Sequence, residues 1–155
     1  MLIFCGTGQI SEIRSFADLN GYRSRLIVWD KEHFFSKKRG DNLYGPNNET
    51  AIYIQKDGSR FSAQGKGCQF KALPHIRNIP FGQVPPHPTM KPVSLFKEFI
   101  LDNTFTGDIV FDPCMGSGTA AIAAIETGRQ FLGCELDKKF YSDAVIRINK
   151  ALYRA

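Results

Sequence analysis

The sequence predicts an α/β protein in which a parallel sheet carries helices on both of its faces. Short apolar runs that end at glycine or aspartate alternate with segments of helical periodicity, for example at 108–112 and 119–127. Such alternation is typical of βαβ units, in which connecting helices cover parallel strands. A turn with two glycines, at 116–118, separates one of these strands from the next helix and strengthens the assignment.

The first half of the chain supplies three predicted strands and one helix. The apolar run Met1–Cys5 has the composition of a strand that is buried on both faces of a parallel sheet. Apolar residues at helical spacing predict a helix over 10–19, and strands are predicted over 26–29 and 50–55. The segment 32–48 is polar and basic and is predicted to be a loop.

The second half begins with a helix that Pro92 opens, since proline fits the first helical turn at no cost in hydrogen bonds. Val93, Phe96 and Ile100 form its apolar stripe, and it is predicted to end near Asn103. The other predicted elements are a strand over 108–112, a helix over 119–127, a strand over 130–135 and a C-terminal helix with apolar residues four apart. With 155 residues, the chain is predicted to form a single domain.

The segment 57–86 is predicted to be an irregular excursion. It lacks sustained periodicity, contains four prolines, and interleaves basic residues with Phe61, Phe70 and Phe81. A stretch of this length within a compact domain usually carries function or is mobile, so the segment is a candidate functional region. A solvated loop without such a role is the alternative.

The charge of the chain favours a polyanionic partner. Twenty Lys and Arg residues oppose fifteen Asp and Glu residues, which gives a formal net charge of +5. Basic surfaces bind polyanions by neutralising phosphates and releasing counterions, so a polyanion is the expected class of partner. Mild basicity without functional meaning is the alternative. The basic residues that are candidates for contact with a polyanion are Lys37, Lys38, Arg39, Lys66, Lys71 and Arg77.

The four cysteines lie far apart in the sequence, and no histidine stands at zinc-ligand spacing. They are therefore predicted to be reduced, mostly buried thiols of a cytoplasmic protein, and no metal site is expected. The apolar start of the chain is too short for a signal peptide or a membrane span, so no membrane partner is expected.

The turn at 116–118 predicts a nucleotide-type site. Glycines let a backbone turn sharply close to a ligand, and the helix that follows directs free N–H groups toward it. Glu135 ends the next predicted strand, about twenty residues on, where an acidic side chain can bind both ribose hydroxyls. No lysine follows Gly118, which excludes a phosphate-binding loop of the ATPase kind. A nicotinamide dinucleotide site remains open on these positions alone, as does a plain packing turn.

Neighbouring residues add a resemblance to a family. The run Asp112–Thr119 reads Asp-Pro-Cys-Met-Gly-Ser-Gly-Thr, which resembles the Asp-Pro-Phe-x-Gly-Ser-Gly-Thr block of amino-type DNA methyltransferases. The run His87–Leu95 resembles the preceding block in the subgroup with circularly permuted motif order, and Phe131–Asp137 resembles the strand that follows. Tyr141, Ala144 and Arg147 resemble the helix after it. The resemblance covers most of the chain apart from about 57–85.

This resemblance implies a Rossmann-like fold and S-adenosylmethionine as the cofactor. Asp112 and the turn would contact the methionine moiety, Glu135 would hold the ribose, and Thr89 and Lys91 would close the amino-acid end. Cys114 stands where the family usually has an aromatic residue, and Met115 follows it. The resemblance also implies double-stranded DNA as the partner, which makes the basic segment 57–86 a candidate target-recognition or DNA-contact region. The cofactor-binding residues that the resemblance implies are Thr89, Lys91, Asp112, Pro113, Gly116, Ser117, Gly118, Thr119 and Glu135.

The family's catalytic tetrapeptide, which consists of Asp, Asn or Ser followed by Pro-Pro and an aromatic residue, does not occur in the sequence. Its polar group would hold the amino group of a flipped base, and its aromatic ring would stack on that base. The one Pro-Pro pair, at 85–86, follows a valine. No catalytic residue is therefore predicted in this chain.

The strand that leads into the tetrapeptide lies, in the family, between the strands that correspond to 108–112 and 1–5. The domain over 1–155 is therefore expected to be partial, with the centre of its sheet missing and a possible upstream polypeptide as partner. Direct pairing of those two strands in a smaller, silent domain is the alternative.

The function that the sequence predicts is a site-specific DNA methyltransferase fragment of the restriction-modification type. It would transfer a methyl group from S-adenosylmethionine to the exocyclic amino group of adenine or cytosine. A non-catalytic module that binds cofactor or DNA is the main alternative. A nicotinamide oxidoreductase is disfavoured by the block at 87–92.

Overall fold

The computed structural model describes residues 1–30, 48–59, 61–62 and 90–153. These residues fall into two compact units, one made of 1–30 and 48–59 and the other of 61–62 and 90–153. None of the helices in these ranges is long and apolar enough to cross a membrane. The predicted loop at 32–48, apart from its last residue, and nearly all of the segment 57–86 lie outside the described residues.

The first unit is a three-stranded sheet in the order β1–β3–β2. Its strands are β1 (Leu2–Cys5), β2 (Arg23–Asp30) and β3 (Asn48–Gln55). β3 is antiparallel to both neighbours. β1 and β2 therefore run in the same direction on either side of β3, and helix α1 (Ile10–Leu19) lies between them in the chain, as in a βαβ crossover.

This arrangement corrects two predictions. The prediction that all strands run parallel is wrong for β3, and β1 is half-buried along its length rather than buried on both faces. An apolar run identifies a strand, but sequence-distant contacts decide which strand it pairs with. In the described part of the chain β1 and the strand at 109–112 belong to different sheets, so the alternative of a continuous smaller sheet finds no support.

The core of the first unit lies between α1 and β3. Ala17, Ile52 and Ile54 are buried there, and Ile3 and Ile13 pack against them. The helix has the bounds that its periodicity predicts, but Phe16 and Leu19 are 50% and 88% exposed. Its buried face is therefore narrower than the predicted apolar stripe.

The second unit combines a parallel strand pair with three helices. Strands β4 (Ile109–Asp112) and β5 (Gln130–Gly133) pair in parallel, with Asp112 opposite Gly133. The helices are α2 (Val93–Asn103), α3 (Thr119–Glu126) and α4 (Lys138–Leu152). All five elements lie where the sequence predicts them, and the four whose bounds were predicted agree within two residues at either end.

One face of the β4–β5 pair packs on α2 and α3. Ile100, Ala123 and Ala124 are buried together, and Val110 and Phe131 of the strands pack against them. Val93 and Phe96 join the same cluster, which confirms the predicted stripe on α2.

The other face of the strand pair is open. Successive strand residues point to opposite faces, so Ile109, Phe111 and Leu132 point away from the helices. Their exposed fractions are 63%, 57% and 60%. These three side chains are called the open face below.

Arg129, between α3 and β5, is a buried cation that the sequence did not single out. Its Nε donates to the Thr104 hydroxyl at 3.0 Å and its Nη2 donates to the Thr104 carbonyl at 2.8 Å. Its Nη1 donates to the Thr127 carbonyl. A buried charge is tolerated when its donors are satisfied, and here the donors also join the ends of α2 and α3.

Arg129→Met should lower the free energy of unfolding by about 2–4 kcal/mol, because it keeps much of the side-chain volume but leaves three oxygens without this donor. Urea denaturation measures the change. Lys97→Met is the control, because it removes only the exposed pair with Glu126 at 2.9 Å, where about 0–1 kcal/mol is expected. Equal losses in the two variants would contradict this role of Arg129.

Candidate functional site

The predicted site residues meet where β4 and β5 end. Asp112 is the last residue of β4, and Glu135 follows the end of β5 by two residues. Carboxyl ends of neighbouring parallel strands share one edge of a sheet, which is where ligands bind in open α/β folds. The connection from β4 to α3 forms one side of this site.

Two left-handed glycines shape that connection. Gly116 has φ +50° and Gly118 has φ +73°, values that other residues adopt rarely. The Gly118 N–H donates to the Met115 carbonyl at 2.8 Å, and the Met115 N–H donates to the Cys134 carbonyl at 2.9 Å. The turn is therefore closed on itself and tied to the end of β5.

Glu135 holds the same turn through its side chain. Its Oε2 accepts the Gly116 N–H at 2.9 Å, and its Oε1 accepts the Asp137 N–H at 2.9 Å. Hydrogen bonds from backbone amides to a carboxylate are stronger than those between neutral groups. Because each oxygen can accept a second bond, Glu135 can still take hydrogen bonds from a ligand.

Asp112 is a half-buried carboxylate close to Glu135. Burial raises the pKa of Asp112, and the negative charge of Glu135 raises it further. The Cys114 N–H donates to Asp112 Oδ1 at 3.0 Å, which opposes the rise in pKa. The site therefore brings two like charges together in a partly desolvated place.

Buried hydroxyls connect the turn to the segment before α2. The Thr119 hydroxyl donates to the Lys91 carbonyl at 3.3 Å and lies 3.0 Å from the Ser117 hydroxyl. Since a hydroxyl has one proton, Ser117 is the donor in the second bond when Thr119 donates to Lys91. The structure thus brings Lys91 to the turn through its backbone carbonyl.

Gly118 has a packing role that the sequence did not predict. The approach of the backbone to a ligand at Gly118 stays a prediction, and a Cβ at this position would lie 3.2 Å from Ile148 Cδ1 and 3.3 Å from Ala144 Cβ. The missing side chain therefore makes room for α4.

Some of the remaining predicted residues lie in the described part of the chain, and the others lie outside it. Pro113 and Cys114 are exposed and Met115 is buried, so Cys114, which stands in place of the family's aromatic residue, is accessible. Cys134 is exposed too, so the prediction of mostly buried thiols is wrong for these two cysteines. Thr89 and the six candidate DNA-contact residues, Lys37, Lys38, Arg39, Lys66, Lys71 and Arg77, lie outside the described residues. No group of three or more metal-ligating side chains occurs among the residues that the structure describes.

The arrangement suits a ligand with hydroxyl groups and positive charge. Glu135 offers acceptor positions for hydroxyls, and the two carboxylates attract cations while disfavouring phosphates. Together with the fold, this site defines a Rossmann-like α/β protein with a ligand site at the strand ends. A family model described as DNA methylase, N6_N4_Mtase, matches residues 1–146, and the chain belongs to this family.

Curated relatives agree with that membership. The type II methyltransferase M.HpaI of Haemophilus parainfluenzae is 27% identical over 95% of this chain, which spans 52% of the relative. The DNA adenine methyltransferase YhdJ of Escherichia coli is 42% identical over 65 residues, which are 42% of this chain and 22% of the relative. The chain thus spans about half the length of M.HpaI and a smaller share of the other curated relatives considered.

Solved structures support both the fold and the family. The crystal structure of the M1.HpyAVI–SAM complex superposes with a TM-score of 0.77 at 32% identity, over 96% of this chain and 74% of that one. The cytosine-N4-specific PvuII DNA methyltransferase, at 15% identity and a TM-score of 0.69, shows the fold alone, over 96% of this chain and 63% of that one. These neighbours confirm the predicted methyltransferase fold in partial form.

Asp112→Asn should raise the melting temperature at pH 7 by roughly 1–2 °C, because it removes a partly desolvated charge near Glu135 and keeps an acceptor for the Cys114 N–H. The folded pKa of Asp112 lies above its unfolded value. The stability deficit of the ionised carboxyl is therefore fully present above the folded pKa and disappears as the pH falls toward about 3.9.

Thermal unfolding of the Asp112→Asn variant and of the unmodified chain between pH 4 and pH 8 measures the gap between their melting temperatures. The gap should stay constant above the folded pKa of Asp112 and narrow as the pH falls below it. A gap that stays constant down to pH 4, or a variant that is less stable at pH 7, would contradict this environment of Asp112.

Proposed function

We propose that this chain binds S-adenosylmethionine at the turn between β4 and α3. We further propose that it forms the cofactor-binding part of a DNA methyltransferase acting on the exocyclic amino group of adenine or cytosine. The single observation that carries the proposal is the pair of carboxylates, Asp112 and Glu135, that borders a left-handed glycine turn in a chain of the DNA methylase family.

Electrostatics distinguishes this cofactor from a nicotinamide dinucleotide. S-adenosylmethionine carries a sulfonium and an ammonium group, whereas a dinucleotide brings the negative charges of its pyrophosphate. Burial is the largest cause of the raised pKa of Asp112, and the charge of Glu135 adds to it. A cation bound beside the two carboxylates would therefore relieve an existing repulsion. A pyrophosphate would increase that repulsion.

Each residue of the proposed site would bind a different part of the cofactor. Glu135 would accept the ribose hydroxyls on the oxygen positions that its two backbone amides leave available. Asp112 and the turn would hold the methionine moiety, with Thr89 and Lys91 at its amino-acid end. The cofactor supplies a methyl group made electrophilic by the sulfonium.

The DNA-binding part of the proposal rests on the family and on charge. The net charge of +5 favours phosphate contacts, and the basic residues of 37–39 and of the segment 57–86 are the proposed contact region. We place the protein in the cytoplasm and among restriction-modification methyltransferases, in line with its type II relatives.

Isothermal titration calorimetry with S-adenosylmethionine tests the cofactor site. Glu135→Ala should weaken binding at least about tenfold, because both the ribose acceptors and the anchor of Gly116 are lost. Glu135→Gln, which keeps one acceptor oxygen, should weaken binding less. Glu12→Ala removes an exposed carboxylate of α1 and should leave binding unchanged. Binding of NAD instead, or equal affinity in Glu135→Ala, would refute the assignment.

We also propose that a polypeptide carrying the catalytic tetrapeptide binds this chain on the open face of β4 and β5. The tetrapeptide is not among the 155 residues, and the relatives that the chain matches are longer. Ile109, Phe111 and Leu132 form an exposed apolar cluster on the two strands that bear the proposed cofactor site. Contiguous exposed apolar residues mark interaction surfaces, and an occupant seated here would lie close to the methyl donor.

A radiolabelled methyl-transfer assay on duplex DNA tests this partner. The chain alone should be inactive, and adding the catalytic segment of a related methyltransferase, with its tetrapeptide, should produce transfer. Leu132→Ser should reduce that rescue by about tenfold or more, since it puts a hydroxyl into the proposed interface. Leu152→Ser makes the same change at an exposed leucine of α4 and should not reduce it.

Two results would contradict this partner. Transfer by the chain alone would show that no second segment is needed. Absence of transfer with the added segment, despite S-adenosylmethionine binding, would favour a non-catalytic module.

A further inference from the structure

Helix α4 lies directly against the glycine turn. A Cβ on Gly118 would come within 3.2 Å of Ile148 and 3.3 Å of Ala144, so the backbone of the turn approaches this helix closely. The helix itself is firmly started, because the Asp137 side chain accepts the N–H groups of Lys139 and Phe140 at 2.8 and 2.9 Å. A side chain of α4 that contacts the turn is therefore held in a fixed position relative to it.

Arg147 projects from α4 to the turn. Its Nη1 donates to the carbonyl of Ser117. The guanidinium is half-buried, and burial lowers the pKa of Arg147 from its usual value, although an arginine remains charged at neutral pH. A partly desolvated cation bonded to a carbonyl forms a charge-assisted hydrogen bond.

This bond completes the fixation of one peptide group. The carbonyl of Ser117 and the N–H of Gly118 belong to the same planar, trans peptide and point in opposite directions. The N–H is held by the Met115 carbonyl at 2.8 Å, and the carbonyl oxygen is held by Arg147. Both ends of the peptide are thus bonded next to a glycine, the residue with the most backbone freedom to lose.

We infer that Arg147 is a positioning residue for the cofactor site, which orients the Ser117–Gly118 peptide before the ligand binds. The inference rests on the proposed function and extends it to a residue for which no contact with the cofactor is required. Binding to a turn that is already fixed avoids the entropy cost of ordering it, so loss of Arg147 should appear as weaker binding.

Calorimetry with S-adenosylmethionine on the full chain and three variants tests this role. Arg147→Met keeps the aliphatic stem and removes every donor, and should weaken binding by about tenfold. Arg147→Lys keeps a charged donor and should recover part of the loss. Lys150→Met is the control, because it makes the same kind of change three residues further along α4. Lys150 and Arg147 both line a groove of about 700 Å³, and the Lys150 variant should leave affinity unchanged.

Thermal unfolding of the same proteins separates positioning from stability. If Arg147 contributed only to stability, Arg147→Met would have a lower melting temperature but the same affinity at 15 °C as the unmodified chain. That outcome would overturn the inference. Equal affinity of Arg147→Met and the unmodified chain would do so as well. Failure of the unmodified chain to bind would instead refute the proposed function, and the inference with it.

Discussion

The hydrogen bond from the Gly116 amide to the Glu135 carboxylate is the contact on which the arrangement of this site depends. It joins the turn after β4 to the segment after β5, two places nineteen residues apart in the chain, and it does so with the side chain proposed to hold the ribose. The same carboxylate accepts the Asp137 amide, so the start of α4 is fixed relative to the turn as well. Ligand-binding and architecture therefore share one functional group.

The double role of Glu135 has an energetic cost, because it places two carboxylates close together. Glu135 lies close enough to Asp112 to raise the pKa of that carboxyl, whose ionised form burial already disfavours. A site selected only for stability would not bring two carboxylates together in a partly desolvated place, whereas a cationic ligand makes the same placement favourable. Arg147, on the far side of the turn, bonds to a carbonyl and leaves both carboxylates available.

Local sequence features predicted much of this structure. Periodicity and turn residues located every helix and strand of the second unit, and the spacing from Gly116 to Glu135 placed the acid beside the turn. The antiparallel direction of β3, the space that Gly118 leaves for Ile148 and the contacts of Arg129 could not be predicted in this way. Each depends on residues distant in sequence, which composition and spacing do not encode.

Amide hydrogen exchange with and without saturating S-adenosylmethionine tests the position of the cofactor site, because it locates the ligand without altering any side chain. Slower exchange is expected only in the three segments that would contact the cofactor, 89–91, 112–119 and 134–137, with no comparable effect of NAD. Protection elsewhere in the chain, or protection of these segments by NAD and not by S-adenosylmethionine, would contradict it.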